Sequence, residues 1–143
     1  MNSDLEFIHS TLIVDDDPIS VKIATTLSAK FSRIVDVAND GETALKMLTI
    51  FKYKLILLDI MMPGINGLET AYRIRQQEIK MKRTPSIIIA ITAYANNTNR
   101  EDCLRAGMND FFEKPLDFKK LEISARKLLQ LQAMKSEEDS SAE

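Results

Sequence analysis

The stretch Lys54 to Gly67, K-L-I-L-L-D-I-M-M-P-G-I-N-G, constrains this chain more than any other. An apolar run, Leu55 to Leu58, leads straight into Asp59 and then into a loop holding Pro63, Gly64 and Gly67. A continuous apolar run of this length, bounded by turn residues, reads as a fully buried strand. Asp59 then sits where that strand leaves the core. A carboxylate in such a place is poorly solvated yet reachable.

The rest of the chain supplies partners for that strand. Thr11 to Val14 is a β-rich run that ends in Asp15-Asp16-Asp17-Pro18. Pro18 suits the first position of a helix, with Asp17 able to cap it. Ile19, Ile23 and Leu27 recur at four-residue spacing, with Ala24 and Phe31 beside them, which predicts one apolar helix face over 19–31. Residues 34–38 read as a second strand, and Asn39-Asp40-Gly41 as a turn opening a helix marked by Ala44, Leu45 and Leu48. After the Pro/Gly loop a third helix runs from Leu68 to about Glu78, followed by a basic loop, Lys80 to Arg83. Ser86 to Ile91 is a fourth strand, ending at Thr92-Ala93. The polar residues 96–99 lead into a short helix ending at Gly107, a plausible C-terminal cap. Asp110 to Glu113 is a fifth strand closed by Lys114-Pro115, and Asp117 starts a last helix with Phe118, Leu121, Ala125, Leu128 and Leu129 on its apolar face.

Strands that alternate with helices in this way predict an α/β fold with a largely parallel sheet. In such sheets ligands bind beyond the carboxyl ends of the strands. Asp15, Asp16, Asp59, Thr92 and Lys114 all fall at such ends.

Composition narrows the class. A chain of 143 residues with 45% hydrophobic and 28% charged residues suits one globular domain. No apolar run approaches the roughly 20 residues of a membrane span, and the first ten residues lack the basic start and apolar core of a signal peptide. The single cysteine, Cys103, excludes an internal disulfide and is most simply helix packing; together these features predict a cytoplasmic location. Residues 137–143 hold four acids and no base, so the remaining 17 acids face 19 bases. A body this close to neutral gives no electrostatic case for direct nucleic acid binding. The division expected is an N-terminal extension at 1–10, a domain at 11–134 and an acidic, disordered tail at 135–143. His9, the only histidine, lies in no helical kinase motif and reads as an ordinary surface residue.

Three carboxylates at one sheet edge repel one another unless one takes a proton or a cation sits among them. An all-oxygen site of this kind suits Mg²⁺ better than Zn²⁺. Thr92 offers a hydroxyl and Lys114 an ammonium for phosphoryl oxygens. Phosphoryl transfer is mostly positioning and charge stabilisation, so a carboxylate nucleophile with these helpers is a sufficient set. Asp59 would then form an acyl phosphate.

Asp15-Asp16, the run D-I-M-M-P-G-I-N-G from Asp59, Thr92-Ala93 and the run F-F-E-K-P from Phe111 together resemble the receiver domain of two-component response regulators. The resemblance covers residues 10–131 or so. It implies a doubly wound, flavodoxin-like, five-stranded parallel sheet of order 2-1-3-4-5 with helices on both faces. It implies that Asp59 is the phosphoacceptor and that Asp16, Asp59 and the backbone carbonyl of Met61 bind Mg²⁺ directly, with Asp15 acting through water. Asp17 is left to cap the helix. Thr92 corresponds to the switch hydroxyl, Lys114 to the signature lysine, with a cis bond to Pro115, and Phe111 to the switch aromatic, although plain core is an equal reading of Phe111. The donor would be a histidine kinase or a histidine phosphotransfer protein, and small donors such as acetyl phosphate should also work.

The module would signal rather than act as an enzyme with an external product, and the run from Ala106 to Pro115 is similar to receivers of hybrid kinases and phosphorelays. Bulky side chains at Met61 and Tyr94 predict slow autodephosphorylation. The alternative is an aspartyl-phosphate phosphatase or phosphotransferase of haloacid-dehalogenase-like type. That chemistry needs an acid two residues after the nucleophile, where this chain has Met61. The oligomeric state is not written in the residues.

Overall fold

A computed structural model of the chain describes residues 7–93 and 99–141. Five strands and five helices alternate: β1 (Ile8–Val14), α1 (Pro18–Ser28), β2 (Ser32–Ala38), α2 (Gly41–Ile50), β3 (Leu55–Asp59), α3 (Gly67–Met81), β4 (Ile87–Thr92), α4 (Arg100–Arg105), β5 (Asp110–Glu113) and α5 (Phe118–Ser141). The strands form one parallel sheet in the order β2-β1-β3-β4-β5. All strand ends of one kind therefore lie along one edge, and Asp15, Asp59, Thr92 and Lys114 gather at the carboxyl edge.

Alternate residues of the strands feed two separate cores. Leu12, Ile56, Leu58 and Ile88 pack with Ala44 and Leu48 of α2, Ala71 and Ile74 of α3 and Cys103 of α4. Ile13, Leu55, Leu57 and Ile89 pack with Ala24 of α1 and with Leu121 and Ala125 of α5. Burial on both faces is why β3 and β4 read as unbroken apolar runs rather than alternating ones.

Local signals set the helix ends. Asp17 accepts from the Ile19 N–H, Asp40 from the Thr43 N–H and Asn66 from the Glu69 N–H, each capping the helix that follows. Asp117 does the same for α5 through Lys119 and Lys120. After α4 the Gly107 N–H donates to Leu104 O and the Met108 N–H to Cys103 O, the paired bonds of a Schellman ending, with Gly107 at φ 100°.

The face of α1 differs from its expected one. Ile19 and Ile23 are 71% and 50% exposed, whereas Ala24 and Ser28 are buried. Small side chains let α1 lie close on the sheet, and the isoleucines flank that contact instead of forming it. β1 begins earlier than expected, at Ile8, and α3 runs on to Met81. Helix α5 continues past 134 to Ser141, through the segment expected to be a disordered tail. Its residues Gln130 to Glu138 contain no glycine or proline and are mostly strong helix formers, so nothing local ends the helix there. Among the described residues no helix is long and apolar enough to cross a membrane.

Candidate functional site

Asp15 and Asp16 follow β1, and Asp59 ends its neighbour β3. One carboxylate oxygen from each lies within 4.8 Å of the others. Asp15 and Asp59 are only 5% and 6% exposed, while Asp16 faces solvent. The backbone beneath Asp59 is fixed by a close approach. The Gly67 N–H donates to Ile60 O at 2.8 Å, and a Cβ on Gly67 would stand 2.5 Å from Asp59 O. Only glycine lets α3 start this near the end of β3.

Lys114 reaches the carboxylates from β5. Its Nζ donates to Asp15 Oδ2 at 3.0 Å and to Ser20 Oγ at 3.2 Å, and lies 3.8 Å from Asp59 Oδ2. The bond to Pro115 is cis, as the resemblance implied. The Lys114 N–H donates to Thr92 O at 2.8 Å, so the lysine and the end of β4 are joined through the backbone. Thr92 is fully buried and Phe111 partly buried, the latter packed on the core that holds α2 and α3. Met61 is 53% exposed at the mouth, and its N–H donates to the Asp59 carboxylate. Tyr94 lies outside the described residues.

The electrostatics follow from this packing. Burial, and then the neighbouring Asp15 carboxylate, push the Asp59 pKa up to about 6, against the opposing pull of Lys114 and the Met61 N–H. Asp17 plays a different part. Its carboxylate is fully exposed, and a hydrogen bond from the Ser20 hydroxyl, then one from the Ile19 N–H, hold its pKa below the ordinary value. Its own N–H donates to Asp15 Oδ1 at 2.9 Å, which orients Asp15. Of the three consecutive acids, Asp15 and Asp16 thus join the cluster and Asp17 caps the helix.

Ser20 was not anticipated from the sequence. It bonds Asp17 at 2.9 Å and also receives Lys114, so it links the cap to the lysine. Its one local signal is its position three residues after a capping Asp. Asp15, Asp59, Ser20 and Lys114 open onto a cavity of about 390 Å³ that is otherwise walled by apolar residues including Ile23 and Phe118.

Buried carboxylates short of cationic partners, beside one lysine, form a site able to hold a hard cation and to accept a phosphoryl group. The family model of the response regulator receiver domain matches residues 11–126. The chain belongs to this family. It is 34% identical over 119 residues to hybrid signal transduction histidine kinase B of Dictyostelium discoideum, covering 78% of this chain and 6% of that protein. It is 35% identical over 130 residues to the regulatory protein AtoC of Escherichia coli, covering 91% of this chain and 27% of that one. The chain therefore spans a small part of these relatives.

Among solved structures it resembles the receiver domain of the sensor histidine kinase PA1611 of Pseudomonas aeruginosa, which has a magnesium ion coordinated in its active site cleft. The TM-score is 0.74 at 30% identity, covering 85% of this chain and 98% of that one. A second similar structure is the Saccharomyces cerevisiae receiver domain of Ssk1 in complex with the histidine phosphotransfer protein Ypd1, with a TM-score of 0.70 at 30% identity over 81% of this chain and 86% of that one. The receiver is a signalling domain of two-component systems.

Proposed function

We propose that this receiver accepts a phosphoryl group on Asp59 from a histidine kinase or a histidine phosphotransfer protein in a cytoplasmic phosphorelay. The observation that carries this reading is the approach of the Asp15, Asp16 and Asp59 carboxylates, with Lys114 set between Asp15 and Asp59. An oxygen-only donor set on a pair of buried, mutually repelling carboxylates fits Mg²⁺. Asp16, Asp59 and the Met61 carbonyl would hold the ion and Asp15 would act through water, and when bound it would offset the charge on phosphoryl oxygens.

The chain's own residues account for the rest. An Asp59 oxygen attacks phosphorus in line, an O–P bond forms, the N–P bond of the donor phosphohistidine breaks, and the imidazole leaves with the electron pair. Lys114 stands close enough to Asp59 to move from Asp15 onto a phosphoryl oxygen. Thr92 would place its hydroxyl on another. Their shift, with Phe111, changes the face formed by α4, β5 and α5, a population shift between two states. Water later releases phosphate, and the Met61 side chain, with Tyr94, would hinder its approach and keep autodephosphorylation slow. The module assists its own phosphorylation and has no external product.

Phosphoryl labelling with acetyl phosphate or a purified kinase in the presence of Mg²⁺ tests this. Wild type labels, Asp59→Asn does not, and chelation abolishes the signal. Equal labelling of Asp59→Asn would overturn the assignment.

A further inference from the structure

The sheet has a second edge, at the amino ends of the strands, and its chemistry is the inverse of the first. Helices α2 and α3 end there side by side. The Arg83 guanidinium joins them by donating to the carbonyls of Leu48 and Phe51 at the end of α2. Around this joint the chain places Lys52, Lys54, Lys80 and Lys82. None of these lysines, nor Arg83, forms an ion pair among the described residues. The acid that acts on Lys52, Glu78, is buried and already paired with Arg75. Burial, followed by repulsion from Lys54 and Arg83, holds the Lys52 pKa below its ordinary value, against the weaker opposing pull of Glu78.

Large apolar side chains stand among these bases and face water. Ile50 is 73% exposed, Phe51 54%, Ile79 79% and Met81 39%. The crevice between the two helix ends has a volume of about 10 Å³, far below the several hundred Å³ that a small ligand needs. A basic surface with apolar side chains interspersed and no concavity between α2 and α3 fits an interface that demands charge and apolar contact but no shape match; the cavity of about 930 Å³ that Lys54 borders lies to one side, against α5. A bilayer of anionic lipids is such an interface, because lysines pair with headgroups while apolar side chains enter the acyl boundary.

We propose that the surface formed by the ends of α2 and α3 docks the receiver peripherally on an anionic membrane. Asp59, at the opposite edge of the sheet, would then point away from the lipid and remain open to its phosphodonor.

Co-sedimentation of the full chain with vesicles tests the proposal. Vesicles of phosphatidylcholine mixed with phosphatidylserine should bind it, vesicles of phosphatidylcholine alone should not, and added salt should release it. Lys80→Glu with Lys82→Glu should lower binding by about tenfold or more. Phe51→Ser with Ile79→Ser leaves the charge unchanged and should still lower binding several-fold. These positions are exposed, and retained phosphoryl labelling of Asp59 will show that the variants are folded. Equal binding to neutral vesicles, or wild-type binding by either double variant, would overturn the proposal. Binding of poly-glutamate or duplex DNA through the same lysines, without vesicle binding, would also overturn it and assign the surface to a soluble polyanion.

Discussion

Two carboxylates of this receiver are almost equally buried, and they live in opposite circumstances. Glu78, near the amino edge of the sheet, is 8% exposed and Asp59, at the carboxyl edge, 6%. Glu78 accepts from Arg75 Nη1 at 2.8 Å and from the Ser86 N–H at 2.7 Å. Arg75 in turn donates to Gly107 O, Ser86 O and Asn109 Oδ1, so every charge in that network has a partner. Asp59 faces a second buried carboxylate and shares a single lysine with it, at 3.8 Å. A satisfied buried charge is a tie within the fold. An under-satisfied one is, on the function proposed above, the seat for a cation and a phosphoryl group.

The largest effect should come from breaking the satisfied site. Glu78→Ala leaves Arg75 and the Ser86 N–H without their acceptor, and the expected loss is about 3 kcal/mol in chemical denaturation. The opposite sign is expected at the other edge. The Asp59 pKa in the folded chain, about 6, lies above the ordinary 3.8, so the folded state holds this proton more tightly. Its favourable contribution is therefore complete below about pH 4 and is lost as pH rises through about 6. Without divalent cations, Asp59→Asn should stabilise the chain by about 2 kcal/mol at pH 7 and by almost nothing at pH 4, measured by urea unfolding at both values. Added Mg²⁺ should stabilise wild type and leave the variant nearly unchanged.

Lys114→Met removes the one cation paired with Asp59 among the described residues. Phosphoryl labelling should fall by about tenfold, and the Asp59 titration followed by carboxyl NMR should move upward. The smallest effect concerns a third buried polar group. Ser28 Oγ is fully buried with no hydrogen-bond partner among the described residues. Ser28→Ala should raise stability by about 1 kcal/mol in the same unfolding assay.

The difference between the two sites also explains what the residues could tell in advance. Asp59 and Asp15 each sit at the end of an apolar run and Lys114 just after a short strand, so the order of the strands aligned them on one edge. Ser86, Gly107 and Asn109, which meet Arg75 and Glu78, are scattered over loops and turns, and only the folded topology brings them together. The face of α1 was misplaced for a related reason. The four-residue spacing centred the face on Ile19 and Ile23 with Ala24 beside them, but the fit to the sheet depends on Ala24 itself and on Ser28. Caps were easier to see, because Asp17, Asp40 and Asp117 act within three residues of themselves. Ser20 escaped notice because its partner Lys114 is 94 residues away.

Gly67 opens α3 and Glu78 lies in its last turn. Together they pin both ends of one rigid strut. Its first residue rests against the carbonyl of Asp59, and its last turn is bolted by Glu78 to the entrance of β4. A helix of 15 residues spans about 22 Å. A change at Glu78 would thus shift the seat of Asp59 from across the domain, without touching any atom near it.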